Sequence, residues 1–202
     1  AALEIALLRS LTQLHGLSLK PQEMAKIGQQ IEHQFVGTQC GIMDQMVSAC
    51  GSIRQAIFLD CESLQTKSLP LFSNHTFIVI HSGSTRKLSR GSYNERKEET
   101  ALASKNLNIP SLRYASFDQI NLIKDSTIRK RAKHIIFEND RVIQATSCLE
   151  ENDAKKFGEL MYLSHQSMRD DYEISSDELN WVVESAKNNG AIGARLTGAG
   201  FG

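Results

Sequence analysis

Between Ala56 and Ile80 the apolar residues leave helical spacing and gather into short runs. Ala56-Ile57-Phe58-Leu59 and Phe77-Ile78-Val79-Ile80 are rich in β-branched and aromatic side chains, which predicts two buried strands, with a weaker strand at 66–69. Helical periodicity holds on both sides of this stretch. A chain that reads helices, then strands, then helices, with one last short strand, is expected to fold as α+β rather than as a regular βαβ alternation.

On the N-terminal side, Leu3, Leu7, Leu11 and Leu14, thickened by Ile5 and Ala6, predict a mostly buried helix that stops at Gly16. Pro21 suits the first turn of a second helix carrying Met24, Ile27 and Ile31 on one face. A loop with two glycines, Gly37 and Gly41, leads to a third helix over 42–49, ended by Gly51. Residues 81–90 read as a polar, basic loop.

After Ser92 the helical pattern returns. Ile128, Ala132, Ile135, Val142, Thr146 and Leu149 form one long stripe, broken at Asn139. Phe157, Leu160, Met161, Ser164 and Met168 form another. Ser175 with Glu178 fits a capping box ahead of Leu179, Val182, Val183 and Ala186, and Gly190 ends that helix. Residues 191–202 predict a short strand running into a glycine loop.

The charge balance narrows the function. Lys plus Arg is 23 and Asp plus Glu is 23 in 202 residues, so the chain lacks the basic footprint of a nucleic-acid binder. Its apolar runs are far too short to span a membrane, and no signal peptide is expected from its pattern. Cys40, Cys50, Cys61 and Cys148 form no CxxC pair and read as free thiols of a reducing cytoplasm, each a small apolar core residue. The chain starts without Met inside a helical pattern and stops in a glycine loop, which reads as truncation at both ends.

Three segments carry candidate chemistry. Glu32 and Asp44 flank the first glycine loop. Asp44 falls in the first turn of the third helix, where the helix N-terminus favours negative charge, and can accept a proton or orient a hydroxyl. Glu32 offers a hard oxygen for Mg²⁺. The second segment is Thr197-Gly198-Ala199-Gly200-Phe201-Gly202, whose backbone amides can face phosphate oxygens, although it is neither a GxGxxG nor a Walker A pattern. The third sets Tyr93 among Arg86, Lys87, Arg90, Arg96 and Lys97, as an anion- or sugar-facing loop. Taken singly, each has a plainer explanation: a helix-start residue, a surface charge, a turn, a solvated basic loop. The six histidines have no metal-ligand spacing and read as structural or exposed.

Together these segments resemble a known family. The stretch from Glu32 to Met46 with Gly41-Ile42-Met43-Asp44-Gln45 at its centre, Asp60-Cys61-Glu62-Ser63-Leu64, Ser92 to Lys97, His165 to Ser175 with Met168-Arg169-Asp170-Asp171, and Arg195 to Gly202 resemble galactokinase segments in the same order. Galactokinases belong to the GHMP small-molecule kinases. The resemblance implies a GHMP-kinase-like two-domain fold, with residues 1–83 as the remnant of the N-terminal domain and 84–202 as the C-terminal domain.

It also implies roles. Asp44 matches the base on the sugar's anomeric hydroxyl, Glu32 a magnesium ligand, and Gly41 and Tyr93 sugar contacts. Thr197, Gly198 and Gly200 match the motif near the phosphates. The substrates implied are galactose and ATP with Mg²⁺, in a cytoplasmic enzyme that is a monomer when full length. Ala1-Ala2-Leu3-Glu4 resembles the residues directly after that family's serine-rich phosphate loop, so the sugar-selecting segment would precede residue 1. Two alternatives stay open on this sequence: a non-catalytic sugar and nucleotide sensor of the same fold, and a kinase for a related sugar such as arabinose or N-acetylgalactosamine. The segment alone is expected to be inactive and poorly soluble.

Overall fold

The computed structural model describes residues 1–83 and 89–201. They form two compact units, Ala1–Leu71 and Phe72–Gly202. The domain boundary expected at 83 and 84 adjoins residues 84–88, which lie outside the described residues, as do Arg86 and Lys87. Helices dominate, with one small sheet, so the α+β expectation holds.

The first unit packs three helices, α1 (Ala2–Leu14), α2 (Pro21–Ile31) and α3 (Met43–Cys50), around Ile5, Met24, Ala25, Ile42, Met46 and Ala49. Pro21 sits in the first turn of α2 as expected, and the Glu23 carboxylate accepts from the Lys20 amide at 2.7 Å. The leucine stripe of α1 is not its buried face. Leu3 is 81% and Leu14 77% exposed, while Ile5 and Thr12 turn inward. This helix is apolar around most of its circumference, and spacing alone cannot tell which of two apolar faces meets α2 and α3.

Strands β1 (Gln55–Leu59) and β2 (Thr66–Pro70) pair as an antiparallel hairpin, with Ile57 opposite Ser68. Both were expected. Asp60 shapes the connection, its Oδ1 accepting from the Glu62 amide at 2.9 Å and the Ser63 amide at 3.0 Å.

The second unit contains α4 (Ser89–Asn106), two short 3₁₀ turns, α5 (Ser126–Glu151), α6 (Ala154–Asp170) and α7 (Asp177–Asn188). Its main core gathers Ala103, Leu112, Ile120, Ile123, Ile128, Ala132 and Ile136. A second cluster joins Met168, Ile174 and Leu196. Asp125 caps α5, accepting from the Ile128 amide at 2.9 Å, and Asn152 ends it in the left-handed conformation. The helix runs unbroken through Asn139.

Several expectations fail here for identifiable reasons. Phe77-Ile78-Val79-Ile80 is neither a strand nor buried: Val79 is 87% exposed, and among the described residues the run has no neighbour to complete a ladder. Residues 191–201 form no strand either. The cap of α7 is Ser176, whose hydroxyl accepts from the Leu179 amide at 3.3 Å, while Ser175 donates to Asn180 Oδ1 at 2.8 Å. Helix α4 begins at Ser89, inside the stretch expected to be a loop. On α5, Val142 is exposed, whereas the polar Arg131 and His134 are buried. Cys61 is exposed rather than in the core, and no cysteine forms a disulfide.

Gly158 on α6 lies directly against the backbone of Ile192 and Gly193. A Cβ at Gly158 would overlap the Ile192 carbonyl oxygen and come within 2.6 Å of its carbon. Only a pair of glycines permits this approach.

Candidate active site

The site residues expected from sequence divide between the two units: Glu32, Gly41 and Asp44 in the first, Tyr93, Thr197, Gly198 and Gly200 in the second.

In the first unit, α2 does not simply stop. Its last turn widens into a π-helical turn over Glu32–Val36, closed by Gly37 at φ 77°. The Glu32 carbonyl accepts from the Thr38 amide at 3.1 Å, and the chain then doubles back towards α3. The Cys40 carbonyl pins this loop, accepting from Gln29 Nε2 at 3.1 Å and His33 Nε2 at 2.9 Å. Gly41 follows in open space, with no atom within 4 Å of where a Cβ would stand.

Asp44 stands where expected, in the first turn of α3, and its side chain is exposed. Its neighbours Gln45 and Met46 supply the buried face of the same helix. Glu32 and Asp44 converge electrostatically on the Cys40 thiol. Burial is the main cause of the upward push on that thiol; Glu32 adds to it, and Asp44 acts in the same direction. Two carboxylates thus flank a glycine-bearing loop in which the Thr38 and Cys40 amides are hydrogen-bonded within the chain and Gly41 is exposed, a setting suited to a hydroxylic, charge-bearing substrate.

In the second unit, Tyr93, Arg96 and Lys97 of α4 face Tyr172, Gly198 and Phe201 across a cleft of about 240 Å³. Tyr93 and Gly198 were expected to serve the site, and they share this cleft; Thr197 and Gly200 do not line it. Thr197 is exposed at the root of the glycine turn. Gly200 is buried at φ 81°, and a Cβ there would stand 2.5 Å from the Ile174 carbonyl oxygen. Burial first, and Tyr93 next, push the Tyr172 hydroxyl up to about 12. It is therefore a neutral donor at the cleft wall.

Behind Tyr172, α5 presents three polar residues at helical spacing, Arg131, His134 and Glu138. The His134 ring stacks on Tyr172, centroids 4.5 Å apart, and its Nδ1 lies 3.0 Å from Ser167 Oγ. Ser167 gives its one proton to Asp171 Oδ2 at 3.1 Å, so His134 is the donor to Ser167. Burial pushes His134 down to about 4, which keeps it neutral. Glu138 accepts from Ser164 at 2.6 Å and from Arg195 at 2.9 Å. Burial alone would raise its carboxyl, but Arg195, Ser164 and Arg141 outweigh that and hold it below the usual range. A fourth polar group, His165 Nδ1, accepts from the Leu196 amide at 3.2 Å. The stem of the glycine turn is thus held from two helices. His134 and His165 each make a hydrogen bond inside the second unit, to Ser167 and to the Leu196 amide; among the described residues no group of three or more His, Cys, Asp or Glu is placed to hold a metal ion.

Two family models match the chain: the GHMP kinases N terminal domain over residues 1–52 and the GHMP kinases C terminal region over 145–202. The chain belongs to the GHMP kinase family. A crystal structure of Lactococcus lactis galactokinase complexed with galactose is similar to this GHMP kinase chain at 35% identity, with a TM-score of 0.94 over 99% of the chain. The chain spans 54% of that relative's length. Asp44 lies within the N-terminal match, and the glycine turn within the C-terminal match. Arg96 and Phe201 fell within candidate segments of the sequence without a role of their own, and Tyr172 carried none; Arg96 shares α4 with Tyr93, while Tyr172 and Phe201 reach the cleft from about 80 and 110 residues further along the chain.

Proposed function

We propose that the gene product containing this chain is a galactokinase, transferring the γ-phosphoryl group of ATP to the anomeric hydroxyl of galactose in the cytoplasm. The observation that carries this reading is the exposed carboxylate of Asp44, in the first turn of α3 and close in sequence to the exposed Gly41. The likeness to a galactokinase solved with galactose supports the choice of sugar.

In phosphoryl transfer a protein mainly positions the reactants and offsets developing charge. Asp44 takes the proton of the sugar hydroxyl as its bond to phosphorus forms. Gly41 lets the sugar approach the backbone, and Tyr93 packs against it and hydrogen-bonds it through its hydroxyl. Thr197, Gly198 and Gly200 shape the turn whose amides face phosphate oxygens. Mg²⁺ arrives with the nucleotide as part of the substrate. Glu32 supplies one hard oxygen, which fits an ion held by one or two carboxylates plus phosphates.

The test is Asp44→Asn in the full-length gene product, assayed with galactose and Mg-ATP. Removing a general base costs roughly a hundred- to ten-thousand-fold in kcat. Galactose affinity by calorimetry should stay within about threefold, because the exposed side chain supports no packing. A variant retaining more than a tenth of the wild-type rate would refute the role.

A further inference from the structure

We propose that Arg131 is a positioning residue that fixes the glycine turn and the Tyr93 helix in one geometry, acting through the 171–174 turn. Its side chain is 3% exposed, and all three of its donor positions are used. Nε donates to Glu99 Oε2 at 2.8 Å, Nη1 to the Asp171 carbonyl at 2.7 Å, and Nη2 to Glu173 Oε2 at 2.8 Å. Glu99 Oε2 also accepts from Arg96 Nη1 at 2.8 Å, and Arg96 Nε donates to the Tyr172 carbonyl at 2.8 Å. Two arginines on two helices therefore hold consecutive carbonyls, 171 and 172, and share one carboxylate between them.

That turn delivers the next contact. The Ile174 carbonyl accepts from the Phe201 amide at 2.7 Å, which fastens the far end of the glycine turn. The residues either side of this link are held in a conformation that non-glycine residues rarely adopt: Glu173 at φ 55° and Phe201 at φ 66°. Such backbone persists only where its surroundings over-determine it. Arg131 holds the Glu173 side chain and the carbonyl two residues earlier, so it is the buried side chain that does so for Glu173, beside the exposed Lys130, whose Nζ is 3.5 Å from Glu173 Oε1, and the Met168 carbonyl, which accepts from the Ile174 amide at 3.0 Å. Arg96 lies one helical turn beyond Tyr93, so the same network sets the cleft wall that carries that tyrosine. A lysine cannot replace the guanidinium, because a single ammonium does not reach three acceptors in a fork.

The kinetic part of this inference rests on the galactokinase reading; the structural part does not. The experiment is Arg131→Lys, with Glu173→Gln as a milder companion, in the full-length gene product. Amide hydrogen exchange is followed by mass spectrometry, alongside galactose and Mg-ATP kinetics. In Arg131→Lys the Phe201 amide should exchange at least tenfold faster, with the amides around Ala103, Ile123 and Ile136 unchanged within threefold, and kcat/KM should fall at least tenfold. Glu173→Gln should move the Phe201 amide in the same direction, by twofold or more. A merely structural role would accelerate both sets of amides together, and that result overturns the proposal. So does an unchanged Phe201 amide in both variants. Should Arg131→Lys fail to fold, Glu173→Gln decides alone by the same reading of Phe201. A wild-type protein that does not phosphorylate galactose defeats the galactokinase reading, and the exchange data still decide the role of Arg131.

Discussion

Gly158→Ala poses a contest of two effects whose sizes can be compared. Gly158 lies inside α6, where alanine is favoured over glycine by about 1 kcal/mol through backbone entropy. Against that, the added methyl would overlap the Ile192 carbonyl oxygen and stand 2.6 Å from its carbon and 2.7 Å from its Cγ2. Overpacking a tight site costs about 1–3 kcal/mol when side chains can yield. Here the obstacle is backbone, tied into Gly193 and the stem of the glycine turn, so the upper part of that range applies. The net expectation is a loss of about 1–2 kcal/mol. For a unit between the small and large domain classes, that corresponds to a melting point lower by roughly 3–10 °C. Circular dichroism at 222 nm, followed through thermal and urea unfolding, measures it. Gly41→Ala is the control, since a Cβ there meets nothing within 4 Å, and it should shift the transition by less than about 0.5 kcal/mol. If Gly158→Ala melts at or above wild type, helix propensity outweighs the clash and the close-approach argument is wrong.

The remaining expectations are briefer. His134 is buried neutral, with Glu138 and Asp171 favouring its charged form and Arg141 and Arg195 opposing it. A histidine lowered from 6.5 to about 4 binds its proton more readily when unfolded, so its contribution is full above pH 6.5 and lost as pH falls towards 4. At 1.36 kcal/mol per unit the loss approaches about 3 kcal/mol, and urea unfolding of wild type and His134→Asn at pH 7 and 4.5 should show the variant losing less. Asp125→Ala removes the acceptor for the Ile128 amide and should cost about 1 kcal/mol in the same assay. The 202-residue chain expressed alone should associate through its exposed leucines, and Leu7→Lys with Leu11→Lys should raise its soluble yield severalfold; equal yield would count against that face as the cause.

Much of the local structure was readable because its causes are local. Pro21 and Asp44 open their helices, Gly37 and Gly51 close turns, and the β1–β2 hairpin follows its own apolar run. The features that escaped depend on distance along the chain. Arg131 and His134 look like surface residues of a long helix until Asp171, Glu173 and Ser167 arrive from 33 to 42 residues away. The first helix misled for a different reason: leucines and isoleucine cover two of its faces, and periodicity ranks neither. Ser175 and Ser176 both satisfy capping spacing, so the choice fell to Asn180, which bonds the first and frees the second. Of the candidate site, the helix-start acid was visible in sequence, while the tyrosine-lined cleft was not.

The spacing of Arg131, His134 and Glu138 has a mechanical corollary. One holds the Asp171 carbonyl, one stacks on Tyr172 and one accepts from Arg195, yet all three share the rotational phase of one rod. Inserting or deleting a single residue upstream of Arg131 within α5 would swing them about 100° together, withdrawing three supports in one stroke.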